Sequence, residues 1–147
     1  MVSVVAATVT LFSVLVPTKV WYAPLQPLAI EVFTSDGWQL VGNISLHNIE
    51  QINRCAEVGL FIGDKEYWNQ GYGREAMRLM LRHAFDHLNL NRVYLRVYET
   101  NPRGIRSYER AGFVQEGRLR QAQYFNGIFV DVLIMSVLRS EWQDSEM

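Results

Sequence analysis

The stretch from Trp68 to Leu88, WNQGYGREAMRLMLRHAFDHL, constrains the fold most, because it opens as a glycine-containing loop and runs straight into an amphipathic helix. Ala76, Met77, Met80, Leu81, Ala84, Phe85 and Leu88 recur at helical spacing and make one apolar stripe, which belongs in a core. Arg74, Arg78 and Arg82 fall on another face, where Glu75 reaches Arg78 and Asp86 reaches Arg82 across one turn, so this side is solvated. Ahead of the helix, Gly71 and Gly73 let the backbone turn sharply and approach a ligand closely. The unpaired amides of the loop and first turn then form a site that attracts phosphate. A glycine pair before a helix also occurs where nothing binds. Neither the Walker A spacing nor the third glycine of the dinucleotide fingerprint is present, so the rest of the chain has to supply the ligand class.

A chain of 147 residues with 49% hydrophobic content can bury one substantial core, and nothing in it suggests two domains. Its net charge of -1 provides no general attraction to nucleic acid, to a membrane surface or to strongly acidic substrates, so recognition has to be local. The arginines of the helix are not joined by an aromatic and basic strand pattern, which argues against a nucleic-acid-binding domain. Cys55, the single cysteine, excludes an intrachain disulfide and a cysteine-rich metal site, and fits a reduced cytoplasmic location. The apolar run from Val2 to Val16 lacks a positively charged leader and is shorter than the roughly 20 residues that span a bilayer, so it is expected to be a buried strand.

Residues 1–27 read as an N-terminal arm or strand that ends in the connector Pro17, Pro24, Pro27, and residues 28–147 as a single domain. Leu28 to Phe33 and Trp38 to Leu46 are expected strands around the turn Ser35-Asp36-Gly37, with Trp38, Leu40, Gly42, Ile44 and Leu46 sharing one face. A polar loop from His47 to Arg54 leads to a third strand, Cys55 to Ile62, with Ala56, Val58, Leu60 and Ile62 on one side and Glu57, Gly59 and Phe61 on the other. After the central helix, Arg92 to Tyr98 alternates as a strand, and the strand, helix, strand order implies a parallel crossover. Asn101-Pro102 starts a short helix that Gly112 stops, and Arg118 to Phe125 pairs with Ile128 to Leu138 around Asn126-Gly127, the dipeptide that most favours a type I′ turn.

Taken together, these pieces resemble the GCN5-related N-acetyltransferase (GNAT) family, and within it the branch of ribosomal-protein N-terminal and spermidine acetyltransferases. The resemblance covers about Leu28 to Trp142. It rests on Ala56-Glu57-Val58, the run Tyr67 to Ala76, Asn101-Pro102 with Ser107-Tyr108, Gly112-Phe113, and Tyr124 to Gly127 followed by Asp131. It implies an α/β fold in which a mostly antiparallel central sheet contains one parallel, splayed strand pair and carries flanking helices, here with a shortened or atypical N-terminal region. It also implies acetyl-CoA as co-substrate, no metal, direct attack by a primary amine, and a small amine or a protein N-terminus as acceptor. The second reading is a non-catalytic acyl-CoA-binding or sensing module.

Residue by residue, the resemblance assigns the pyrophosphate to the backbone of Gln70, Gly71, Tyr72, Gly73, Arg74 and Glu75. The acetyl carbonyl and pantetheine arm fall to Leu60, Phe61 and Ile62, beside a bulge that Gly59 would allow. The general family pattern has Gln or Arg three residues before Gly71, where this chain has Trp68. Tyr108, two helical turns after Asn101, matches the tyrosine that protonates the leaving thiolate; packing alone would also explain it. Asn101 matches a cofactor-contacting asparagine and is equally a natural N-cap. Glu57 matches a position that carries a general base in some branches, and an ion-paired structural glutamate is the other reading. His83 and His87 have no convergent carboxylate, and Cys55 has no adjacent base. Because the family's leading helices have no visible counterpart, the run Val2 to Val16 is expected to cover apolar surface by pairing across a homodimer.

Overall fold

The computed structural model describes residues 28–143, and the arm or strand expected over residues 1–27 lies outside them. Six strands form one sheet in the order β1-β2-β3-β4-β6-β5. They are β1 (Leu28–Thr34), β2 (Gly37–Glu50), β3 (Cys55–Ile62), β4 (Arg92–Tyr98), β5 (Val114–Phe125) and β6 (Ile128–Leu138). Helix α1 (Tyr72–Arg82) connects β3 to β4, and α2 (Pro102–Arg110) connects β4 to β5. Every neighbouring pair is antiparallel except β3 and β4, as the crossover through α1 requires. The architecture is the mixed, mostly antiparallel α/β sheet expected. No helix among the described residues is long and apolar enough to cross a membrane.

The core lies between one face of the sheet and α1. Ala76, Met77, Met80 and Leu81 of α1 are buried, with Ala84 and Phe85 of the following turn, against Val93 and Leu95 of β4 and Met135 and Val137 of β6. The expected stripe holds until its last member, Leu88, which is 41% exposed. Residues His83–His87 form a π-helical turn closed by the bond from the Leu88 N–H to the His83 carbonyl. Such a turn inserts one residue per turn and shifts the phase of the stripe, so Leu90 is buried in place of Leu88.

Two bulges correct the reading of β2. Pairing with β1 steps from Ile30↔Gly42 to Glu31↔Leu40, which makes Val41 an extra residue. Val41 is therefore buried with Ile44 and Leu46, while Trp38 (43% exposed) and Leu40 (70% exposed) turn to the opposite face. Pairing with β3 then steps from His47↔Glu57 to Glu50↔Cys55, with Asn48 in the left-handed conformation. The strand thus runs through much of the segment expected to be a polar loop. The irregularity anticipated at Gly59 sits instead in β2, since Gly59 pairs regularly with Ser45; its missing side chain makes room for the His47 ring.

The turns follow the sequence. Asn126 and Gly127 both have positive φ, as a type I′ hairpin needs, and Gly112 ends α2 at φ +95°. The sheet face away from α1 carries Phe33 and Trp38, whose rings meet edge to face at 5.2 Å, together with Leu40 and the 63% exposed Phe61.

Candidate active site

The site begins where the sheet opens. β3 and β4 pair only over Cys55↔Arg92, Ala56↔Val93 and Glu57↔Tyr94, and beyond that the two strands diverge. The β4-facing backbone groups of the rest of β3 therefore lack a ladder partner and are open to a ligand that can accept or donate along an extended edge. Leu60 and Ile62 lean toward the core while Phe61 points the other way, so the opening passes through the sheet.

The loop and helix after β3 close one side. Asp64 caps the short 3-10 turn Lys65–Tyr67 by accepting from the Glu66 N–H at 2.9 Å. Asn69 and Gly71 both adopt positive φ (62° and +88°), which swings the chain into α1. Gly71 is the N-cap and no side chain caps the helix; its carbonyl takes the Glu75 N–H at 3.0 Å. The amides of Tyr72, Gly73 and Arg74 are left without intrahelical partners, at the positive end of the helix dipole. A Cβ on Gly73 would stand at ordinary contact distance, 3.4 Å from Ile62 Cδ1 and 3.7 Å from Leu60 Cδ2, so the helix terminus lies against the side chains of the open stretch of β3.

Helix α2 closes the other side. Asn101 caps it by accepting from the Gly104 N–H at 3.0 Å, and Pro102 occupies the first helical position. Two turns on, Tyr108 packs its ring against Phe113 with centroids 6.1 Å apart. Among the described residues the Tyr108 hydroxyl has no hydrogen-bond partner, and no buried side-chain N or O is left unpaired, so the hydroxyl opens to the cavity. Burial of the residue raises its pKa above the ordinary tyrosine value, which keeps the proton on it.

These elements enclose a cavity of about 760 Å³. It brings together Leu60, Phe61, Ile62, Gln70, Gly71, Tyr72, Gly73, Arg74, Asn101 and Tyr108. Glu75 does not line it: the side chain is forked by Arg78, at 2.7 and 3.1 Å, and its amide is already used by Gly71. That ion pair, with some opposition from burial, lowers the pKa of Glu75. Glu57 does not line the cavity either. It stands at the last paired position of the splay, on the face away from α1, and takes hydrogen bonds from Arg96 Nε (2.7 Å), Arg96 Nη2 (3.2 Å) and Asn48 Nδ2 (3.2 Å).

Sequence reading missed the arginines of α2. Arg103, Arg106 and Arg110 line the cavity with Arg74, and no Asp or Glu among the described residues does. Their positions in a short polar helix read equally well as solvated surface. Cys55 is partly buried outside the cavity, where burial and then the Glu50 carboxylate push its thiol pKa up and make it a poorer nucleophile.

Residues 17–114 match a family model described as an acetyltransferase (GNAT) domain. The chain is 36% identical over 103 residues to the spermidine N(1)-acetyltransferase of Vibrio cholerae serotype O1, a match covering 70% of this chain and 59% of that protein. To the ribosomal-protein-serine acetyltransferase of Escherichia coli K12 it is 32% identical over 101 residues, or 69% of this chain and 55% of that one. The crystal structure of the Vibrio cholerae spermidine N-acetyltransferase in complex with CoA and spermine matches with a TM-score of 0.72 at 32% identity, over 80% of this chain and 67% of that chain. The matches to the two curated relatives thus span little more than half of their length.

Proposed function

The chain belongs to the GNAT acetyltransferase family, and from that premise we propose that it transfers the acetyl group of acetyl-CoA to a primary amine by direct attack. The observation that carries the reading is one cavity that no acidic side chain among the described residues lines. In it the free amides of α1, the open edge of β3 and the unpartnered Tyr108 hydroxyl face a common space. The amides of Tyr72, Gly73 and Arg74 receive the pyrophosphate, and the pantetheine arm runs along Leu60 to Ile62 as an added strand-like segment. The neutral amine attacks the thioester carbon, a C–N bond forms, and the oxyanion is stabilised by backbone amides of β3. When it collapses the C–S bond breaks, and the CoA thiolate takes the proton of Tyr108.

The amine nitrogen must also lose a proton, and we give that role to Glu57, at the last paired position before the splay. Because Arg96 and Asn48 already occupy its carboxylate, it works through a bridging water on its remaining lone pairs. The same occupancy favours a second reading, an acyl-CoA-binding module without turnover. A panel of primary amines, including a polyamine, an amino sugar and a peptide with a free N-terminus, decides between them. Thiol release from acetyl-CoA that depends on one of these amines supports transfer, whereas CoA binding without release for any of them supports the module.

The acceptor is a small amine or a protein N-terminus, a class supported by relatives named for spermidine and for ribosomal-protein serine. We also assign a homodimer in the cytoplasm. Phe33, Trp38, Leu40 and Phe61 form exposed apolar surface of the kind that a second copy buries. Light scattering at micromolar concentration is expected to give twice the 17.0 kDa chain mass; the monomer mass would refute the dimer.

A further inference from the structure

We propose that Arg103, held over the face of the Trp68 indole, is the cation that binds the pyrophosphate of CoA together with the α1 amides. The inference rests on the acetyl-CoA reading and names the side chain that completes that site.

Trp68 and Arg103 come from different walls of the cavity. The indole is fixed from behind, its Nε1–H donating to the Ile62 carbonyl at 2.9 Å, so the ring ties the loop before α1 to the end of β3. Arg103, the second residue of α2, lays its guanidinium carbon 3.6 Å from the indole centroid. At that separation the guanidinium is in van der Waals contact with the face of the ring, where the ring quadrupole attracts the cation. Lys65 Nζ, at 5.9 Å, adds a second positive charge near the same ring.

Two further observations point this cation at a phosphate. Among the described residues Arg103 has no carboxylate partner, and the cavity wall contains Arg74, Arg106 and Arg110 but no acidic side chain. Charges kept only for solubility need not gather around a concave space, and among the described residues Arg103, Arg106 and Arg110 do so without a carboxylate partner. Holding the fork on a fixed ring also removes, before binding, much of the rotamer freedom that an arginine otherwise loses when it grips an anion. The anion nearest to Trp68 in the proposed complex is the pyrophosphate, because Trp68 leads directly into the loop Asn69 to Arg74 whose amides receive it. The amides and the guanidinium then hold the two phosphates together, and a fork suits paired phosphate oxygens better than a lysine does.

Calorimetric titration of the full chain with CoA, 3′-dephospho-CoA and pantetheine tests the assignment. Arg103→Ala is expected to weaken CoA and 3′-dephospho-CoA alike, by about 10- to 100-fold, the usual worth of a charge-assisted contact, and to leave any pantetheine binding unchanged. Arg103→Lys, which keeps the charge but not the planar fork, is expected to recover only part of the loss. Trp68→Leu, which keeps the arginine and removes its platform, is expected to weaken both nucleotides in the same proportion. A loss confined to CoA would move Arg103 to the 3′-phosphate and overturn the proposal. Unchanged CoA affinity in a folded Arg103→Ala chain would also overturn it. If the unaltered chain binds no CoA at all, the acetyl-CoA reading itself falls.

Discussion

Gly73→Val is expected to lower CoA affinity by about 10²- to 10⁴-fold while the chain remains folded. Gly73 lies in the first turn of α1 without positive φ, so valine meets no left-handed strain there, unlike at Gly71, whose φ is +88°. Its Cβ falls at ordinary contact distance from Ile62 and Leu60, and the two added methyl groups fill the gap between the helix terminus and the open β3 edge. A phosphate kept out of that gap loses two or more charge-assisted hydrogen bonds of about 1.5–3 kcal/mol each, which sets the scale of the loss. Calorimetry with a melting curve on the same sample separates the effects. Near-native melting with no detectable CoA binding is the expected pair, and a folded variant that binds CoA as tightly as the parent would remove the pyrophosphate from this terminus.

Tyr108→Phe is expected to slow turnover by about 10²- to 10⁴-fold, the range of a general acid, with little change in CoA affinity. The variant keeps the ring against Phe113 and deletes only the hydroxyl, which has no partner to strand among the described residues. The pH profile gives the second check. A general acid must be protonated, and burial raises the Tyr108 pKa above its usual value near 10, so the proton is present below that pH and is lost as pH rises through the raised value. No alkaline loss of rate owed to Tyr108 is therefore expected below about pH 10. Turnover of Tyr108→Phe within about twofold of the parent would return the residue to packing alone.

Much of this site was legible in the sequence because its signals are local. The glycine loop and apolar stripe of α1, the Asn101 cap with Tyr108 two turns on, and the Asn126-Gly127 turn each depend on residues a few positions apart. The splay between β3 and β4 came from the family resemblance, since nothing in the alternation of either strand announces where pairing stops. Bulges at Val41 and Asn48 had no marker: both neighbouring registers offer apolar residues, and tertiary packing chose Val41 over Leu40. The π turn was hidden for a similar reason, as Leu88 and Leu90 fit two phases of one stripe equally well. Arg103 was invisible because its meaning lies in Trp68, far away in the chain, and a contact between a loop and the start of a helix leaves no periodic trace. Glu57 shows the converse: its position was readable and its Arg96 partner, on the neighbouring strand, was not.

Direct acetyl transfer is tested most closely by a single-turnover reaction with the chain in slight excess over acetyl-CoA and an amine from the panel, quenched in time and read by mass spectrometry. The acetyl group is expected to pass from CoA to the amine at the rate at which free thiol appears, with no acetylated protein at any time. Acetyl that accumulates on the protein before reaching the amine, or that stays on CoA with every amine while the chain is saturated with ligand, would contradict it.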